Sequence, residues 1–153
     1  ACLVGSEMCI RDRTLMALTS WLTVAASGPL AVESLFDGRF RTDPRVTETI
    51  ISGTSLADYN LSSYKSLTFT GAPELTPDVE KAVTRDGATA RDREVSYQDG
   101  HLYYGFYALP PRNNLKRYIF YLNRASKSTT GKVILIYVEG HADINQIKRM
   151  LKK

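Results

Sequence analysis

The chain predicts an α+β fold: a mostly antiparallel sheet of about five or six strands with two or three helices packed against it. Three observations carry that prediction. Between Val95 and Gly140, runs of β-branched and aromatic residues follow one another, each closed by turn formers at Asp99-Gly100, at Pro110-Pro111 with Asn113-Asn114, at Thr130-Gly131 and at Gly140. Two segments opening at Thr76 and Asp143 carry apolar residues at helical spacing. The order of elements is helix, strand, strand, helix, several strands, helix, without the regular alternation of a parallel sheet, and it places the helices on one face.

Taken in order, residues 32–40 set Val32, Leu35 and Phe36 at helical spacing, and Asp43-Pro44 ends that short helix. Residues 46–51 are β-branched and read as a strand closed by Ser52-Gly53. Leu56, Tyr59 and Tyr64 flank Asp58 and Asn60 in a helical turn or compact loop. Residues 66–70 alternate cleanly, with Leu67 and Phe69 inward. Thr76 reads as an N-cap with Pro77 at the first helical position, Val79, Ala82 and Val83 face the core, and Asp86-Gly87 closes the helix. Strands through Tyr104, Tyr118 and residues 133–138 follow and pair as sequential neighbours. In the last of them Val133, Leu135 and Tyr137 point one way and Ile134, Ile136 and Val138 the other, so this is a central strand covered on both sides. Asp143 to Gln146 forms a capping box, and Ile144, Ile147 and Leu151 are the buried stripe of a final helix.

The first thirty-one of the 153 residues stand apart. Residues 3–13, Leu3-Val-Gly-Ser-Glu-Met-Cys-Ile-Arg-Asp-Arg13, resemble a sequencing-library adapter translated in frame and are set aside from the fold. Both cysteines, Cys2 and Cys9, fall in or beside that stretch, so the remainder has no thiol for a disulfide, a metal or a nucleophile. Residues 14–31 carry no charge and read as a truncated secretory signal peptide, with small residues at Val24 and Ala26 and a second cleavage position at Ala31. Ser27 and Val32 stand where a lipid-anchored chain needs a cysteine, so no stable membrane anchor is expected after cleavage. This leaves residues 32–153 as a single domain, exported to the periplasm or secreted.

The formal net charge is +4, unevenly spread. Residues 32–99 hold eight Lys and Arg against twelve Asp and Glu, a net of −4, whereas residues 112–153 hold ten against two, a net of +8. The asymmetry fits an anionic partner or, more plainly, lysines that keep strand edges and the last helix soluble. Several segments together, Leu35-Phe-Asp-Gly, Tyr64-Lys-Ser-Leu67, Tyr103-Tyr-Gly-Phe-Tyr107, Arg117-Tyr-Ile-Phe-Tyr-Leu-Asn123 and Lys132-Val-Ile-Leu-Ile-Tyr-Val-Glu-Gly140, resemble a family of short exported proteins of unknown function from Gram-negative gut anaerobes. That resemblance implies a fold and a compartment, and it brings no catalytic residues.

Three constellations bear chemistry. Asp99, His101, Glu139 and His141 supply two carboxylates and two imidazoles at strand ends, which would take a divalent cation or serve a hydrolytic envelope enzyme if the two turns were neighbours. Gly100 and Gly140 already account for both turns, so the reading adopted has no metal, no cofactor and no catalytic residue. Tyr104-Gly-Phe-Tyr107 and Ile134-Leu-Ile-Tyr137 have the composition of an RNA-stacking sheet but come in the reverse order, and nucleic acid is not expected as a partner. The third is the aromatic strip, in which Tyr103, Tyr107 and Tyr121 offer a tyrosine-lined surface for a protein, peptide or glycan of the cell envelope. The function expected from the sequence is therefore a non-catalytic exported interaction module.

Overall fold

The computed structural model describes residues 28–125 and 131–152; the adapter-like stretch, residues 14–27 of the signal-like run and most of the turn expected at residues 126–131 lie outside them. The described residues form one six-stranded antiparallel sheet, β1 (Val46–Ser52), β2 (Leu61–Thr70), β3 (Asp92–Gln98), β4 (His101–Arg112), β5 (Leu115–Asn123) and β6 (Lys132–Gly140). Their spatial order is β1-β2-β6-β5-β4-β3. The four consecutive strands β3 to β6 pair in chain order because their connections are short, and β6 pairs on its other side with β2, which joins the β1–β2 hairpin to them.

The two-sided apolar pattern of β6 is satisfied by one helix on each face. Val133, Leu135 and Tyr137 belong to a core with Leu67, Phe69, Ile119 and Tyr121, closed by Val79, Ala82 and Val83 of α1 (Thr76–Gly87). Val138 belongs to a second core with Phe106 and Tyr118, closed by Ile147 of α2 (Ile144–Leu151). The helices thus sit on opposite faces rather than on one, since a central strand with apolar side chains on both sides leaves neither face open to water.

Local chemistry sets the connections. Asp99-Gly100 and Asn113-Asn114 all have positive φ, between 52° and 80°, the primed turn geometry of two-residue hairpins. The strand predicted to stop at Pro110 runs on to Arg112, with the register slipping between Leu109 and Arg112. Two prolines offer no N–H to a ladder, and the buried Arg117 side chain takes over, donating to the Pro110 carbonyl from Nε at 2.9 Å and from its terminal nitrogen at 2.7 Å. Tyr64, expected in a turn, lies inside β2, because pairing on both sides by β1 and β6 extends that strand back to Leu61.

The start of α1 differs from the sequence reading. Leu75 occupies the capping position without a side-chain cap, and the Thr76 hydroxyl is buried and unbonded inside the first turn. The helix ends at Asp86-Gly87 as the sequence predicts, and Asp86 is also a clamp: its carboxylate accepts from the amides of Ala31 at 3.0 Å and Val32 at 2.8 Å. Leu30 and Ala31 accordingly pack against the core beside Val32, Leu35 and Phe36.

Gly140 marks where the chain crosses itself. The Asn60 carbonyl accepts from the amides of His141 at 2.8 Å and Ala142 at 3.0 Å, and a Cβ on Gly140 would lie 2.4 Å from that oxygen and 2.6 Å from Leu61 Cα. Those atoms are backbone and cannot swing aside. Gly140→Ala is expected to cost about 3 kcal/mol and to lower the melting temperature by roughly 10 °C. A thermal melt that leaves the transition unmoved would show that the crossing is looser than this geometry.

Candidate functional site around helix α2

The sequence-predicted residues are not brought together. Strands β4 and β6 run parallel on either side of β5, so His101 at the start of β4 and His141 just past the end of β6 sit at opposite ends of the sheet. Asp99 goes with the first and Glu139 with the second. His101 is exposed, its Nδ1 3.4 Å from Glu80 Oε2, while Glu80 Oε1 accepts the Leu102 amide at 2.8 Å. Asp143 is spent as the α2 cap, accepting from the Gln146 amide at 2.8 Å as its own amide donates to Gln146 Oε1 at 2.9 Å. Among the described residues no three His, Cys, Asp or Glu side chains converge as a metal ion requires.

Glu139 belongs to a partly buried polar cluster at the rim of the α1-side core. Arg112 donates to Glu139 Oε1 at 2.6 Å and to both oxygens of Glu33, the closer at 2.8 Å, and the Tyr137 hydroxyl donates to Glu139. Burial works to raise the Glu33 pKa, but the bonds from Arg112 and the Leu30 amide and the guanidinium charge outweigh it and hold the carboxyl below its usual range. Every oxygen of this cluster that faces a cation is already engaged, so it ties the N-terminal segment to β4 and β6.

The tyrosine strip is also rearranged. The register between β3 and β4 slips with Tyr103 as the extra residue, a bulge that reverses the facing of the side chains on either side of it. Tyr103 is half-buried there. Tyr107 and Tyr121 are 3% and 0% exposed beneath α1, so these two present no wet surface to a ligand. A slot made by two glycines takes the Tyr107 ring: a Cβ on Gly87 would lie 2.4 Å from it and one on Gly105 2.7 Å. Gly87 has an ordinary helical φ and serves this close approach, which the Asp-Gly turn signal concealed.

The accessible aromatic surface lies on the other face. Helix α2 has eight residues and buries only Ile147 fully, against a sheet face carrying Tyr64, Tyr104, Phe106, Tyr118, Phe120 and Ile136. Three cavities follow from that shortfall. A cleft of about 620 Å³ opens between α2, the helical turn at Thr54–Tyr59 and the β1–β2 hairpin, lined by Ile51, Leu56, Tyr59 and Tyr64 with Asp58 and Arg149 at its margin. A small cavity of about 180 Å³ lies under α2 itself, and a third of about 440 Å³ opens on the far flank beside Tyr104, Leu122 and Lys148. Neighbouring cavities share lining residues, Tyr64 and Met150 on one side and Phe106, Phe120 and Leu151 on the other.

The cleft beside β1 meets an open sheet edge. Backbone bonds from Thr70 to the Arg45 carbonyl and from Gly53 to the Ser62 carbonyl fix which residues of β1 face β2. By alternation Glu48, Ile50 and Ser52 turn their N–H and C=O groups outward, and among the described residues no strand pairs there. Residues 19–151, most of the described chain included, match DUF6108, a family of unknown function. The chain belongs to that family. No curated protein and no solved structure matches it. Membership in DUF6108 assigns no activity, and the open features of this member are the edge of β1 and the flanks of α2. Sequence reasoning missed the site because it joins Ile51, Tyr59 and Tyr64 to Met150, which is distant in the chain. The one available signal was the shortness of the last helix against so broad an apolar face.

Proposed function

We propose that the domain is a non-catalytic, exported binding module that adds an extended segment of a protein or peptide partner to β1 and seats an apolar side chain of it in the adjoining cleft. The observation that carries this reading is the coincidence of the unpaired β1 edge with a cleft of about 620 Å³, within the range of ligand pockets. Ile51 and Tyr59 are 37% and 55% exposed in the cleft, and Ile50, 48% exposed, stands on the other face of the same edge, the kind of apolar contact such a partner covers. Strand β1 has a single charge, the inward-turned Glu48, and no proline, lysine or bulge, whereas the opposite edge, β3, carries Asp92, Arg93 and Glu94 and pairs with the bulged strand β4. A glycan is served less well, because Tyr107 and Tyr121 lie in the core.

Export rests on the uncharged residues 14–31 and on the lack of cysteine after Cys9. Cleavage after Ala26 rather than Ala31 suits the contacts of Leu30 and Ala31 with the core. A displayed library of random seven-residue peptides tests the binding reading. Peptides enriched on the wild-type chain should lose at least about tenfold in affinity for Ile50→Pro, which removes an outward N–H without touching the β2 ladder, and for Tyr59→Ala. No enrichment, or peptides indifferent to both substitutions, would overturn it.

A further inference from the structure

We infer that the far flank of α2 is a second binding site, for a single-chain anionic amphiphile whose apolar tail enters beneath the helix and whose acidic head rests between Arg124 and Lys152. The tail region is the cavity of about 180 Å³ under α2, floored by Phe106, Tyr118 and Phe120 and roofed by Ile147 and Leu151. At roughly 30 Å³ for each water-sized group, it takes about six methylenes of a chain. It adjoins the cavity of about 440 Å³, whose walls are again aromatic, Tyr104 packing edge-on against Phe120 with centroids 5.7 Å apart.

The head region is set by charge. Arg124, Lys148 and Lys152 surround the mouth and Glu94 is the one acid in its lining. Lys148 is committed to Glu94 and lies 5.2 Å over the Phe106 ring, so Glu94 is neutralised from within the site. Among the described residues no carboxylate pairs with Arg124 or Lys152. Lysines late in a helix suit its dipole without any ligand. Arg124 follows β5 and has no such reason to be there, yet it lines the same mouth. An apolar channel ending in two uncommitted cations is complementary to a tail with an acidic head, and the +8 of residues 112–153 adds a long-range pull toward anions. A neutral alkane finds no use for the cations, and a cationic amphiphile is repelled by them.

Titration calorimetry of the chain with hexanoate, octanoate and decanoate is the direct test. Saturable binding is expected, strengthening roughly fourfold per added methylene. Decanol and decyltrimethylammonium should bind at least about tenfold more weakly than decanoate, and Arg124→Glu with Lys152→Glu should cost decanoate about tenfold. Both side chains are exposed, and an unchanged thermal melt of the double variant shows that its fold is intact. At an ionic strength that screens the basic half of the chain, anionic phospholipid vesicles should bind no better than neutral ones, since the site takes a free single chain and not a bilayer surface. Equal affinity for decanol and decanoate, indifference to the charge reversals, or binding to anionic vesicles without binding to decanoate would each overturn the inference. The site is independent of the β1 edge, so Ile50→Pro should leave decanoate affinity unchanged.

Discussion

Leu135→Asp is expected to abolish folding, whereas Ile136→Asp, one residue along the same central strand, is expected to give a folded but weakened domain. Leu135 is fully buried between β2 and β5 under α1, in a core with Leu67, Ile119 and Val83 and, among the described residues, away from any cation. An unpaired charge there costs on the order of 5 kcal/mol or more, comparable with the whole stability of a typical domain. Ile136 points to the other face and is only half-buried, beside the cavity under α2. Its carboxylate reaches water around the helix at a cost of about 1–3 kcal/mol. Urea unfolding of the two variants separates them: a cooperative transition for Ile136→Asp and none for Leu135→Asp. The reverse outcome would mean that the α2 face is the better packed of the two.

The second large effect is alkaline unfolding driven by tyrosines. Burial pushes the Tyr107 phenol up to about 12, and it raises Tyr121 and Tyr137 further, the latter also through its bond to the Glu139 carboxylate. An unfolded tyrosine loses its proton near pH 10, while these three keep theirs in the folded state. The stabilisation is fully present below pH 10 and is lost as the pH rises from there toward 12, because the unfolded chain sheds protons that the native one retains. Each tyrosine contributes about 1.4 kcal/mol per pH unit over that window, so the three together remove roughly 4 kcal/mol per unit. Tyrosinate absorbance and backbone circular dichroism should therefore change together between about pH 10 and 12. Tyr137→Phe should shift that midpoint upward. Ionisation of all tyrosines with the backbone signal intact would contradict the burial of these rings.

Both results depend on a division between what the linear chain encodes and what packing adds. The central strand was legible because a run apolar on both parities admits no exposed face, whatever surrounds it. The hairpin turns at Asp99-Gly100 and Asn113-Asn114 and the Asp143–Gln146 capping box were equally legible, since each is decided by residues within four positions of one another. Resemblance pointed to a family of unknown function, which membership in DUF6108 bears out that far, and it carried no site. Tertiary structure alone decided which tyrosines are buried: one extra residue at Tyr103 reverses a face, and Gly87 and Gly105 open the slot that takes Tyr107. It also decided that the two histidines lie at opposite ends of the sheet, that Asp86 clamps a segment more than fifty positions away, and that an eight-residue helix leaves cavities on an aromatic face. Periodicity reports the environment of one element at a time, whereas the register of β6 between β2 and β5 and the reach of α2 are set by contacts among segments distant in the chain.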